Sequence, residues 1–156
     1  MPNPPRDSRT FSTPDKKAHF IAHDLPEVTV PSGKYVMMTI RSHDQYNTTI
    51  YDVHDRYRGV HGNRRIIFMN ANDMIKRGWK TRRIVDIVSH FNGEERRSNG
   101  WTTIAYDIPE GNIATYFPEA NVLVPLKSTA EKSNTPTSKW IICSLLEPGQ
   151  GLFEEE

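Results

Sequence analysis

Cysteine is almost missing from this sequence: Cys143 is the single one among 156 residues. That excludes an internal disulfide framework, and any four-cysteine iron–sulfur or zinc site made by this chain alone. Within IICSLL the thiol reads as a buried strand residue. No apolar run approaches the roughly 20 residues of a membrane span, and the N-terminus has no apolar stretch of the kind a secretory signal needs. The motifs GxGxxG, GxxxxGK[ST] and GxSxG are all absent, which removes the common phosphate loops and the nucleophile elbow. Net charge is lacking too. Lys+Arg number 20 and Asp+Glu 19, a formal +1, so the whole molecule offers no steering field for nucleic acid or membrane. Neither is expected as a partner, and a cytoplasmic location fits the cysteine usage.

Hydrophobic residues are scarce, at 36%, and the shortfall lies mainly at the ends. MPNPPRDSRTFSTPDKK (1–17) and the acidic finish (149–156) are polar and rich in Pro or charge. Both are expected to be disordered tails. Residues 18–148 remain as one folded unit, large enough for a single core.

What is present is a series of short β-branched or aromatic runs between turn signals. AHFIAH (18–23), KYVMMTI (34–40), RRIIFMN (64–70), RIVDIVSHF (83–91), GWTTIAYDI (100–108) and KWIICSLL (139–146) read as strands. Asn92-Gly93 predicts a tight hairpin. Helical signals are few. Asn70 is placed to cap NANDMIKRGW, with Asp73 as its capping-box partner and Gly78 as the stop. A second short helix is predicted in TYFPEANVLVP. The fold class is therefore mostly β, a barrel with short helices between strands rather than a simple meander.

The unusual segment is RSHDQYNTTI (41–50), which follows the most apolar strand and carries almost no apolar filling. Between 41 and 65 there are five arginines and three aspartates. One reading is a solvated loop whose charges pair with one another, each pair contributing little. The other is a ligand loop. Arg41 has the planar fork that suits phosphate, Ser42 and Thr48 offer hydroxyls, Gln45 and Asn47 offer amides for a heterocycle edge, and Tyr46 offers a flat face. A second polar stretch, 119–139, holds Asn121, Thr135 and Lys139 just before the last strand. Two such loops on one barrel can converge on one ligand. His43, His54 and His61 match no common metal spacing.

The strings TIRSHDQYNTTIYDVHDRYRGVHGNRRIIFMNANDMIKRG and YFPEANVLVPLKSTAEKSNTPTSK resemble the C-terminal, molybdopterin-dinucleotide-binding domain of the formate-dehydrogenase-like molybdopterin oxidoreductases. The likeness is strongest to the subgroup described as formate dehydrogenase alpha subunits, and it covers roughly residues 18–148. It implies a six-stranded double-psi β-barrel that binds part of a molybdopterin guanine dinucleotide. By position it implies cofactor contacts from Arg41, Ser42, Gln45, Tyr46, Asn47 and Thr48 in the first loop, from Tyr116 and Asn121 around the Asn-x-Leu element, and from Thr135 and Lys139 in the last loop. Two positions depart from the family pattern. Its Asn-Pro-x-Asp reads Asn70-Ala71-Asn72-Asp73, and its Gly-Asp turn reads Thr81-Arg82-Arg83 here.

Family enzymes are several times longer, and their metal ligand and iron–sulfur cluster lie in earlier domains. The resemblance therefore implies that molybdenum or tungsten is not ligated by this chain, and that the chain is not catalytic alone. The expected partner is the rest of the oxidoreductase, either further domains or a separate large subunit. The chain then reads as an excised domain, a truncated product, or one part of a split enzyme. The alternative is an interaction or regulatory protein that kept the barrel and lost the cofactor.

Overall fold

The computed structural model describes residues 1–25, 29–43, 45 and 52–150. Six strands form its body: β1 (Tyr35–Ile40), β2 (Ile66–Met69), β3 (Ile84–Phe91), β4 (Glu94–Ala105), β5 (Asn112–Tyr116) and β6 (Ile141–Leu146). They close into a barrel in the order β1-β5-β2-β4-β3-β6. The pairs β1–β5 and β2–β4 are parallel, and the others antiparallel. Exchanging β1 with β4, β2 with β5 and β3 with β6 maps this pairing onto itself. The topology thus has an internal two-fold, the double-psi arrangement, although no repeat is legible in the sequence.

One buried cluster fills the barrel: Met37, Ile67, Met69, Val85, Ile87, Trp101, Ile113, Ile141, Cys143 and Leu145 all contribute. A second lies on the outer face of β2 and β5, with Val60, Ile66, Phe68, Ala114 and Tyr116. β2 is therefore covered on both sides, which explains why IIFM is a continuous apolar run without alternation. The cover over its outer face is the segment that returns toward β2, where Asp55 and Val60 are buried.

Helix α1 is a single turn, Pro4–Asp7, with nothing buried. Helix α2 spans Ala71–Lys76, and the Asn70 side chain accepts from Asn72 N at 2.8 Å. Gly78 ends it at φ +67°, and Trp79 N donates to Met74 O at 2.8 Å. The Asp73 carboxylate does not close a capping box. It accepts instead from Gly111 N at 2.7 Å and ties α2 to the turn before β5. Asn92 and Gly93 both take positive φ, as the predicted hairpin turn requires.

Three expectations about elements are corrected. Residues 18–23 form no strand, and Phe20 and Ile21 stay exposed. The closed ring leaves no free edge on which a seventh strand could pair. The strand Asn112–Tyr116 was hidden between a turn signal and a helix signal; it lies between β1 and β2. The predicted helix in TYFPEANVLVP is a short 3-10 segment, Glu119–Leu123, following a cis Phe117–Pro118 bond.

Candidate functional site

Strand direction gathers the site. Parallel pairing brings β1 and β5 to the same pole, with Ile40 opposite Tyr116, and Phe117 N donates to Ile40 O at 2.8 Å. β2 runs antiparallel to β5, and β6 antiparallel to β1, so both begin at that pole. Thr39 N donates to Ser138 O at 2.9 Å. Arg41, Arg64, Phe117–Asn121 and Ser138–Lys139 thus share one rim. The two polar segments, nearly 80 positions apart in sequence, end side by side for this topological reason.

At the centre of the rim is the buried Arg64, two residues before β2. Its Nε donates to Glu119 Oε1 at 2.7 Å. Nη1 donates to Ser42 Oγ at 2.9 Å and Asp52 O at 3.3 Å. Nη2 donates to Gln45 Oε1 at 3.2 Å and Phe117 O at 3.0 Å. The guanidinium lies 4.7 Å from the centre of the Tyr116 ring. A second buried pair stands nearby. Asp55 Oδ2 accepts from Arg58 Nη1 at 2.5 Å and from the Tyr116 hydroxyl at 2.8 Å. Among the described residues Asp55 Oδ1 has no hydrogen-bond partner, and His43 Nδ1 stands 3.7 Å from it. Burial disfavours the Asp55 charge, but the hydrogen bonds from Arg58 and Tyr116 outweigh it and hold this carboxyl below its ordinary value. Burial, and then the neighbouring Asp55, push the Tyr116 phenol well above its usual range.

Of the residues singled out in the sequence, Ser42, Gln45 and Tyr116 are buried. Their polar atoms contact Arg64 and Asp55. Arg41, Asn121, Thr135 and Lys139 are exposed. Arg58 Nη1 donates to Arg41 O at 3.2 Å. Lys139 Nζ donates to Thr39 O. Asn121 lines a cleft of about 330 Å³ with Arg96, Leu126 and Pro136, whereas Lys139 lines a different, largely apolar cleft of about 430 Å³ with Met38 and Trp140. Thr135 sits in the exposed loop whose Ala130 N donates to Thr135 O at 2.8 Å. Tyr46, Asn47 and Thr48 lie outside the described residues.

The donor set suits a large polar ligand with phosphates. Arg41, Asn121, Thr135 and Lys139 present guanidinium, amide, hydroxyl and ammonium groups. The buried Asp55 and the half-buried Glu119 are each paired to an arginine, so their charge is compensated within the fold. Among the described residues no group of three or more His, Cys, Asp or Glu could hold a metal ion. Arg64, Arg58 and Glu119 were not singled out as site residues in the sequence. A parity signal existed for the first: Arg64 falls on the same face as Ile66 and Phe68 of β2, the outer face that Tyr116 covers.

A closed double-psi barrel with a polar rim at the ends of two parallel strands defines a ligand-binding barrel domain. Residues 35–142 match the family described as Molydopterin dinucleotide binding domain, and the chain belongs to that family. It is 49% identical over 150 residues to an uncharacterized oxidoreductase of Mycobacterium tuberculosis, a match covering 93% of this chain and 19% of the relative. It is 36% identical over 140 residues to the protein YdeP of Escherichia coli K12, covering 85% of this chain and 18% of the relative. The chain thus spans about one fifth of the length of these curated relatives.

Proposed function

We propose that this barrel binds part of a molybdopterin guanine dinucleotide as the C-terminal segment of an oxidoreductase resembling formate dehydrogenase. The observation that carries the proposal is the convergence of Arg41 and Phe117–Asn121 at the ends of the paired parallel strands β1 and β5. The Arg41 guanidinium suits the pyrophosphate, and the Asn121 amide suits a heterocycle edge. Thr135 and Lys139 add a hydroxyl and a cation from the loop before β6. Tyr46, Asn47 and Thr48 belong to the same first loop and are assigned to the same ligand. When bound, the cofactor's molybdenum or tungsten supplies the two-electron chemistry, and this chain's part is to bind and orient. Other domains or a separate large subunit complete the enzyme, since the relatives are about five times longer.

The test is a titration of the isotopically labelled chain with guanosine diphosphate, followed by amide chemical shifts. The expected result is perturbation confined to 41–48 and 119–139, reduced in the Arg41→Ala, Asn121→Ala double variant. A silent spectrum, with a protein partner recovered instead, would favour a barrel that has lost its cofactor. The burial of Ser42 and Gln45 is the observation consistent with that second reading.

A further inference from the structure

We infer that Arg64 is a positioning residue that locks the two ligand-facing segments to each other, and that Ser42 and Gln45 serve as its acceptors rather than as ligand contacts. This rests on the proposed role of the rim. A guanidinium has five N–H donors in a fixed plane. Here Nε, Nη1 and Nη2 address Glu119 Oε1, Ser42 Oγ, Asp52 O, Gln45 Oε1 and Phe117 O, so every donor has an acceptor. The acceptors come from both sides. Ser42, Gln45 and Asp52 belong to the segment leaving β1; Phe117 and Glu119 belong to the turn leaving β5. A lysine has three donors radiating from one nitrogen and cannot span this set. Arg64 stands two residues before β2, a strand with every residue buried, so the anchor is rigid. The arrangement also explains why Arg41 and Asn121 need not touch to be held in register: the segments bearing them converge on one buried cation.

The consequence is that losing Arg64 should loosen both segments and weaken ligand binding without opening the barrel. The experiment uses the whole chain as wild type, Arg64→Met, Arg64→Lys, and Ile87→Ala as a control in the barrel core. Two readouts are taken under native conditions: tryptic cleavage after Arg41, Arg56 and Arg58, and amide shifts on adding guanosine diphosphate. Arg64→Met should be cleaved at these bonds about ten-fold faster or more, because cleavage follows the population of locally opened chain. Arg64→Lys should fall between it and wild type. Ile87→Ala should unfold at lower denaturant yet keep wild-type protection at these bonds. If Arg64→Met does not fold, the Ser42→Ala, Gln45→Ala double variant removes two acceptors and should give the same cleavage pattern. Equal acceleration in Ile87→Ala, or unchanged protection and nucleotide response in a folded Arg64→Met, overturns the inference. Loosening confined to the Arg64 variants with no nucleotide response in wild type leaves the clamp standing and removes the proposed ligand instead.

Discussion

The Tyr116 hydroxyl donates to Asp55 Oδ2 at 2.8 Å, joining the last residue of β5 to a loop 61 positions earlier in the chain. Both groups are buried on the outer face of the barrel, not inside it. That bond holds the returning segment against β2 and β5.

Tyr116→Phe tests it with the smallest possible change. The ring still packs edge-on against Phe68, whose centroid is 5.4 Å away, but the buried carboxylate loses one of its two donors to Oδ2. A hydrogen bond to a charged group contributes roughly 1.5–3 kcal/mol. The urea midpoint should fall accordingly, with an unchanged slope.

The acid limb of stability has two named sources. Asp55 and Asp86 both titrate below the ordinary 3.8 in the folded chain. For Asp86, burial opposes the charge, while Arg97 Nη2 at 2.7 Å and the backbone N–H groups of Gly100 and Gly149 overcome it. A depressed carboxyl contributes stability above its unfolded value and loses it as pH falls through the folded one. Stability should therefore be flat with respect to these two groups near neutrality and decline below about pH 4. Asp86→Asn should start lower at pH 7 and show a shallower decline, measured by denaturant unfolding at a series of pH values.

Arg82 takes φ +65° in the turn before β3. Its N–H donates to Thr103 O at 2.6 Å, so the turn is held in that conformation. An L side chain in the left-handed region costs about 1–2 kcal/mol, partly offset by the greater chain entropy that glycine loses on folding. Arg82→Gly should raise stability by about 0.5–1 kcal/mol, read as a shift in thermal midpoint.

Cys143 is fully buried on β6, and burial pushes its thiol up to about 12. The thiolate is the reactive form. A thiol reagent at pH 8 should therefore leave the native chain unlabelled, and label it at a rate set by unfolding once urea is added.

Trp101 fills the barrel interior, with its indole N–H donating to Ser98 Oγ at 3.0 Å. Trp101→Ala should cost about 3–5 kcal/mol and abolish the cooperative transition in near-ambient conditions. Calorimetry checks this directly.

Local chemistry along the chain determined the strands KYVMMTI, RRIIFMN, RIVDIVSHF and KWIICSLL, the Asn92-Gly93 hairpin, and the capped helix after Asn70. Each is specified by residues within a few positions of one another: β-branched runs, turn residues and a cap. The family likeness of the polar strings was legible for the same reason, since it is carried by contiguous letters. Tertiary structure alone decided three things. It showed that 18–23 forms no strand, because the ring closes without it. It placed NIATY as a central strand, because parallel pairing with β1 supplies hydrogen bonds that no local signal announces. It also buried Ser42, Gln45 and Tyr116 while leaving Arg41 and Asn121 exposed. Sequence shows that a side chain is polar, but not which polar group it will meet. That depends on Arg64 and Asp55 arriving from other parts of the chain, and on the cost of burying either one without acceptors or donors around it.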